Sequence, residues 1–108
     1  MTPEGRTKAR IRRVLDAFVP HGLWYYMPVQ VGMGKTTLDF ICSRHGTRET
    51  FLIEAKAEGQ SPTERQWAMI RDARAKGMRV FVIDDERADS KVRYESCQDL
   101  LTWLKAPE

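Results

Sequence analysis

The residues of this chain best suited to chemistry are two carboxylates and an amine: Asp39, then Glu54 with Lys56 two positions on. Asp39 interrupts an apolar run between Leu38 and Phe40-Ile41, and Glu54 follows Phe51-Leu52-Ile53. A charge inside such a run costs roughly several kcal/mol of desolvation unless it is paired or binds something. If the second run is a strand, Leu52, Glu54, Lys56 and Glu58 project from one face and Phe51, Ile53, Ala55 and Ala57 from the other. A hairpin between the two runs brings Asp39 and Glu54 together. Two carboxylates completed by water suffice for a hard divalent cation, Mg²⁺ or Mn²⁺. The same residues are also accounted for as strand-end charges, with Glu54 paired to Lys56. A second stretch, Gly32-Met33-Gly34-Lys35-Thr36-Thr37, invites comparison with a phosphate-binding loop. Val29 stands where that motif needs its first glycine, and the residues that follow alternate like a strand instead of opening a helix. It reads as a hairpin turn, with Lys35 placed to reach a phosphate.

The elements that must position these groups are legible in order. Thr2 and Pro3 open a first helix whose Ile11, Val14, Leu15 and Phe18 make one apolar stripe. Pro20 and Gly22 stop it. Residues 23–31, 37–43 and 49–57 read as three strands joined by turns at 32–35 and at His45-Gly46. Ser61-Pro62-Thr63-Glu64 matches a capping box with Ser61 as cap, opening a helix to Lys76 that ends at Gly77. Residues 79–83 form a buried strand, Asp84-Asp85-Glu86 a solvated turn, and Ser96 caps a last helix with Cys97, Leu100, Leu101 and Leu104 inward. The crossover helix lets the fourth strand run parallel to the third. The expectation is an α/β fold, α-β-β-β-α-β-α, with a mixed sheet of about four strands flanked by helices.

Asp39, the hairpin, and Glu54-Ala55-Lys56 together resemble the PD-(D/E)XK nuclease signature, and specifically its virus-type replication-repair (VRR-Nuc) branch. Gly59, the Ser61-Pro62 helix start, Gln66 one turn inside that helix, and the strand after Gly77 extend the resemblance across residues 4–105. Leu38 departs from the proline usual before the aspartate. The resemblance implies a restriction-endonuclease-like fold in its minimal, phage-type form. It implies that Asp39 and Glu54 hold Mg²⁺ or Mn²⁺ with the backbone carbonyl of Ala55, and that Lys56 orients or deprotonates the attacking water. Gln66 assists, and Glu4 resembles an acidic residue that related junction-cutting nucleases bring to the metal. Relatives act as homodimers on branched DNA.

Composition sets the bounds. The 108 residues, 42% hydrophobic and 31% charged, fit one domain over 1–108 and exclude a disordered chain or a two-domain enzyme. No run approaches the roughly 20 apolar residues of a membrane span, and the first residues carry no apolar leader, so neither membrane association nor secretion is expected. Cys42 and Cys97 read as buried thiols in a reducing bacterial cytoplasm. The net charge is +3, with nine basic and five acidic side chains in residues 1–56 against nine and ten in the remainder. Arg6, Lys8, Arg10, Arg12 and Arg13 concentrate the excess in the first helix and suit a polyanion, branched or duplex DNA. Trp24-Tyr25-Tyr26 either buries one ring while its neighbours line a groove, or meets another subunit. The expected function is structure-selective, junction-resolvase-like DNA cleavage by a homodimer in replication or repair. A catalytically inactive DNA-binding module of the same fold, and a small interaction protein, are the alternatives.

Overall fold

Thr2 caps the first helix, its hydroxyl accepting from Gly5 N at 3.0 Å with Pro3 in the first turn. In the computed structural model, which describes residues 2–29, 38–44, 49–85 and 91–106, this helix is α1 (Pro3–Phe18), with Thr7, Ile11 and Leu15 buried. A 3-10 turn over Val19–His21 and Gly22, at φ 95°, lead into β1 (Trp24–Tyr26). This strand is shorter than the 23–31 expected, because Pro28 has no N–H to carry the ladder onward. The turn holding Lys35 and the one at His45-Gly46 lie outside the described residues. β2 (Phe40–Ser43), β3 (Thr50–Ala55) and β4 (Arg79–Ile83) complete a sheet ordered β1-β2-β3-β4. The first two pairings are antiparallel and β3–β4 is parallel.

The crossover helix α2 (Glu64–Ala75) begins two residues later than its sequence suggested. Thr63 is the cap, accepting from Gln66 N at 3.2 Å, while Gln66 Oε1 accepts from Thr63 N at 2.9 Å. Ser61 is drawn elsewhere: its hydroxyl accepts from the Tyr94 hydroxyl at 2.7 Å. At the other end, Gly77 takes the left-handed φ of 90° that lets its own and Met78's N–H close back on Arg74 O and Ala73 O. The last helix, α3 (Cys97–Lys105), is capped by Ser96 in a box with Asp99.

The sheet's two faces divide the work. Phe40, Cys42, Phe51, Ile53, Phe81 and Ile83 meet α1 and α3 in the main core. The opposite face carries a smaller cluster, in which Ile70 of α2 packs with Leu38, Val80 and Val82. The β1–β2 half of that face is left with Trp24, Tyr26 and Ile41 exposed. Both cysteines are buried and free, and burial pushes their thiols up to about 12 (Cys42) and about 11 (Cys97), so they pack as inert groups. Among the described residues, no helix is long and apolar enough to cross a membrane.

One expectation is overturned at the end of β4. Asp84 and Asp85 are buried, not part of a solvated turn. Asp84 accepts from the N–H groups of Gly59 (3.2 Å), Arg93 (2.7 Å) and Tyr94 (3.1 Å), and Asp85 accepts from Cys97 N (3.0 Å) at the start of α3. Backbone donors with little access to water need an acceptor, and these carboxylates supply it, for a buried N–H at Cys97 and part-buried bonds at the other three. Asp84→Ala removes the acceptor of three part-buried donors, so a loss of about 2–3 kcal/mol is expected, read as a lowered urea midpoint, with Asp84→Asn intermediate.

Candidate active site

The β2–β3 register pairs Phe40 with Ile53, which places Asp39, one residue before β2, beside Glu54 on the face that α2 partly covers. Asp39 is fixed by accepting from Ala55 N at 2.8 Å through Oδ2, so the start of β2 is pinned to the end of β3. Its Oδ1 lies 3.3 Å from Lys8 Nζ of α1. Glu54 is 1% exposed. Its Oε2 lies 3.2 Å from Lys56 Nζ, and its Oε1 is buried with no hydrogen-bond partner. Glu4 sits between the two lysines, 3.6 Å from Lys8 and 3.7 Å from Lys56. Three carboxyl groups and two ammonium groups therefore interlock in one cluster. Glu4, Lys8, Asp39 and Glu54 border a cavity of about 350 Å³ that Gln66 closes from α2 and that Met27 and Pro28 wall from the end of β1, with Lys56 behind Glu54.

The electrostatics follow from that crowding. Burial, then the charge of Asp39 and a hydrogen bond to it, push Glu54 up to about 8, against the opposing pull of Lys56. Burial and a neighbouring like charge both favour the neutral acid at Glu54. For Lys8, burial pulls downward, but the charges and hydrogen bonds of Asp39 and Glu4 outweigh it and hold the ammonium above the usual lysine value.

The residues expected at the site meet there, with some roles rearranged. Asp39, Glu54, Lys56, Gln66 and Glu4 converge. Lys8, read from sequence as one of the DNA-binding cations, is instead ion-paired inside the cluster. Its signal was its place one helical turn after Glu4, on the flank of the stripe that begins at Thr7. Glu4 bridges the lysines instead of joining the other two carboxylates. Arg10 points away, its guanidinium 3.8 Å from Asp85, and so is a tether between α1 and β4's end. Arg6, Arg12 and Arg13 are exposed on α1, Arg12 reaching the Tyr25 hydroxyl. Lys35 lies outside the described residues. Gln66 commits Oε1 to Thr63, which leaves the Nε2 end as a hydrogen-bond donor for the cavity it lines.

No protein-family model, curated protein or solved structure matches this chain. The chemistry of the cavity therefore stands on its own residues. Among the described residues, no group of three or more His, Cys, Asp and Glu is spaced to hold a metal ion. Asp39 and Glu54 form an open set of two. That set fits a divalent cation on one observation: Glu54 Oε1 is a buried oxygen with nothing to bond, beside a second carboxylate that disfavours its ionisation. A hard cation removes both penalties at once.

Proposed function

We propose that this chain is a metal-dependent DNA endonuclease that hydrolyses phosphodiester bonds at the Asp39–Glu54 cavity with Lys56 beside it, and that it belongs with the VRR-Nuc nucleases its motifs resemble. The observation that carries the reading is the buried Glu54 carboxyl, whose Oε2 pairs with Lys56 while its Oε1, beside Asp39, has no hydrogen-bond partner. Asp39 and Glu54, with the Ala55 carbonyl, would hold Mg²⁺ or Mn²⁺. Such an ion supplies Lewis acidity toward a phosphate oxygen and charge to offset the transition state.

The chain's own groups do the rest. Lys56 orients the attacking water as an ammonium, or takes its proton after first releasing its own to solvent, as the oxygen–phosphorus bond forms and the bond to the leaving nucleoside oxygen breaks. Glu4 ties Lys56 to Lys8, and Lys8, which lines the cavity, offers its charge to an incoming phosphate. Gln66 donates from its amide to a phosphate oxygen. Arg6, Arg12 and Arg13 extend positive charge along α1 for the flanking backbone. In this reading the protein works as a twofold dimer on branched DNA, in bacterial or phage replication and repair. Light scattering at micromolar concentration tests the dimer.

The deciding experiment is a cleavage panel of four-way, flapped and linear DNA with Mg²⁺, Mn²⁺ or EDTA. Cleavage of branched substrate with either cation and none in EDTA is expected; inertness toward every substrate with both cations rules out the nuclease and leaves a DNA-binding module or, if no salt-dependent DNA binding is seen either, a small interaction protein. Binding has its own signature. Removing Arg12 and Arg13 together should weaken DNA binding and flatten the slope of log K against log salt by about 0.9 for each phosphate no longer neutralised. Arg10→Ala should act through stability instead, since its guanidinium serves Asp85.

A further inference from the structure

β1 is an edge strand, and its alternating side chains take opposite fates. Tyr25 is half-buried, donates its hydroxyl to Asp16 at 2.6 Å and packs against Phe40. Trp24 and Tyr26 project from the other face, 58% and 52% exposed, with ring planes within 12° of parallel and centroids 6.4 Å apart. Ile41, opposite Tyr26 in the ladder and 36% exposed, floors the space beside them. Large flat rings held parallel in water suit a ligand that is itself flat and aromatic.

The register ties these rings to the acidic cavity. Tyr26, Ile41 and Leu52 form one row across the sheet, and Asp39 and Glu54 lie two residues further along their strands on the same face. At ~3.4 Å per residue, the carboxylates are about 7 Å beyond the Tyr26 row and about 14 Å beyond the Trp24 row. That repeat is close to the span of successive nucleotides in an extended strand. The chain itself makes the passage continuous, since Met27 and Pro28, which follow Tyr26, wall the cavity. Arg12, at the Tyr25 hydroxyl, places a cation at the margin of the same strand.

We propose that Trp24 and Tyr26 form a stacking platform for unpaired nucleic-acid bases, delivering the adjoining phosphate to the Asp39–Glu54 cavity. The proposal rests on reading that cavity as a phosphodiester site, and it makes the preferred substrate one with unpaired nucleotides next to the cut. A second copy of this chain is a poorer occupant. Rings of 150–250 Å² at these exposures, with Ile41, present roughly 300 Å², against about 800 Å² per partner in a stable interface. A three-residue edge strand also offers little backbone to pair.

The test measures binding without catalysis. In EDTA, the intact protein is titrated with oligo-dT and oligo-U of about 12 nucleotides and with a blunt duplex, following intrinsic tryptophan fluorescence and anisotropy of a labelled strand. Single strand should bind in preference to duplex and quench the emission. Trp24→Ala with Tyr26→Ala should weaken single-strand binding about tenfold or more, with unchanged far-UV circular dichroism. Trp24→Phe should keep the affinity and lose most of the quenching. A loss in either the dT or the U arm supports the platform and identifies the sugar. Undiminished binding by the alanine pair, preference for duplex, or a wild-type dimer that the alanine pair splits would each overturn it. Cleavage is not read here, so an inert cavity in Mn²⁺ sinks only the nuclease reading, and failed stacking beside active cleavage sinks only the platform.

Discussion

If the chain is the proposed nuclease, Glu54→Gln should lower phosphodiester cleavage by about 10³-fold or more while leaving the fold and DNA binding in EDTA intact. Glutamine has the shape of the protonated acid that the metal-free chain already carries, and its amide can still donate to Asp39. What it lacks is the negative charge for a divalent cation. Lys56→Met should fall by about 10²–10⁴-fold for another reason: the amine beside the attacking water is gone, and Glu4 and Glu54 lose their shared cation. The two substitutions separate under a change of ion, since raised Mn²⁺ can restore weak metal occupancy but cannot replace an amine. Cleavage by Glu54→Gln at the wild-type rate would falsify the assignment of Glu54 as a metal carboxylate. If Glu54→Ala and the wild type both leave branched, duplex and single-stranded DNA whole in Mn²⁺ while binding it equally, the binding-module alternative stands.

The second large effect is on stability. Glu54 is pushed from the ordinary glutamate value of 4.5 up to about 8 in the folded chain, first by burial and then by Asp39. The folded state therefore holds a proton that the unfolded state releases near its ordinary value. Its contribution is complete at acid pH below the unfolded pKa and disappears as pH rises through the folded one. The melting temperature of the metal-free protein should fall from about pH 4.5 to about pH 8, and Glu54→Gln should flatten that fall. Mg²⁺ or Mn²⁺ at about 100 times its Kd adds ~2.7 kcal/mol by mass action, or about 10 °C or more for a domain of this size. The gain should be larger at the alkaline end, where no proton need be expelled, and EDTA should reverse it. Differential scanning calorimetry across pH, with and without cation, measures both. A melting temperature indifferent to either cation at every pH would remove the metal from the proposal.

Much of this was readable in advance because it is local. Strand alternation alone put Glu54 and Lys56 on one face, and the interrupted apolar run at Asp39 marked the partner. The helix order, the cap at Thr2, the glycine at position 77 and the α-β-β-β-α-β-α topology follow from periodicity and turn chemistry over a few residues. What escaped depends on distant contacts. Ser61 looks as good a cap as Thr63 until Tyr94 claims its hydroxyl from 33 residues away. Asp84 and Asp85 look solvated because nothing nearby in sequence announces the N–H groups of Gly59, Arg93 and Cys97 that bury them. Lys8 and Arg10 are two positions apart in a basic helix, yet one serves the acidic cluster and the other Asp85, because α1 turns them toward opposite flanks.

Asp84 also governs how the molecule fluctuates. Its carboxylate joins the loop at Gly59, three residues after Lys56, to the stretch at Arg93 and Tyr94. The loop behind the amine thus cannot breathe alone: freeing it requires releasing the segment before α3, and the two should open as one cooperative unit. Helix ends can fray while Lys56 keeps its place, so its positioning is decoupled from the motions of the periphery.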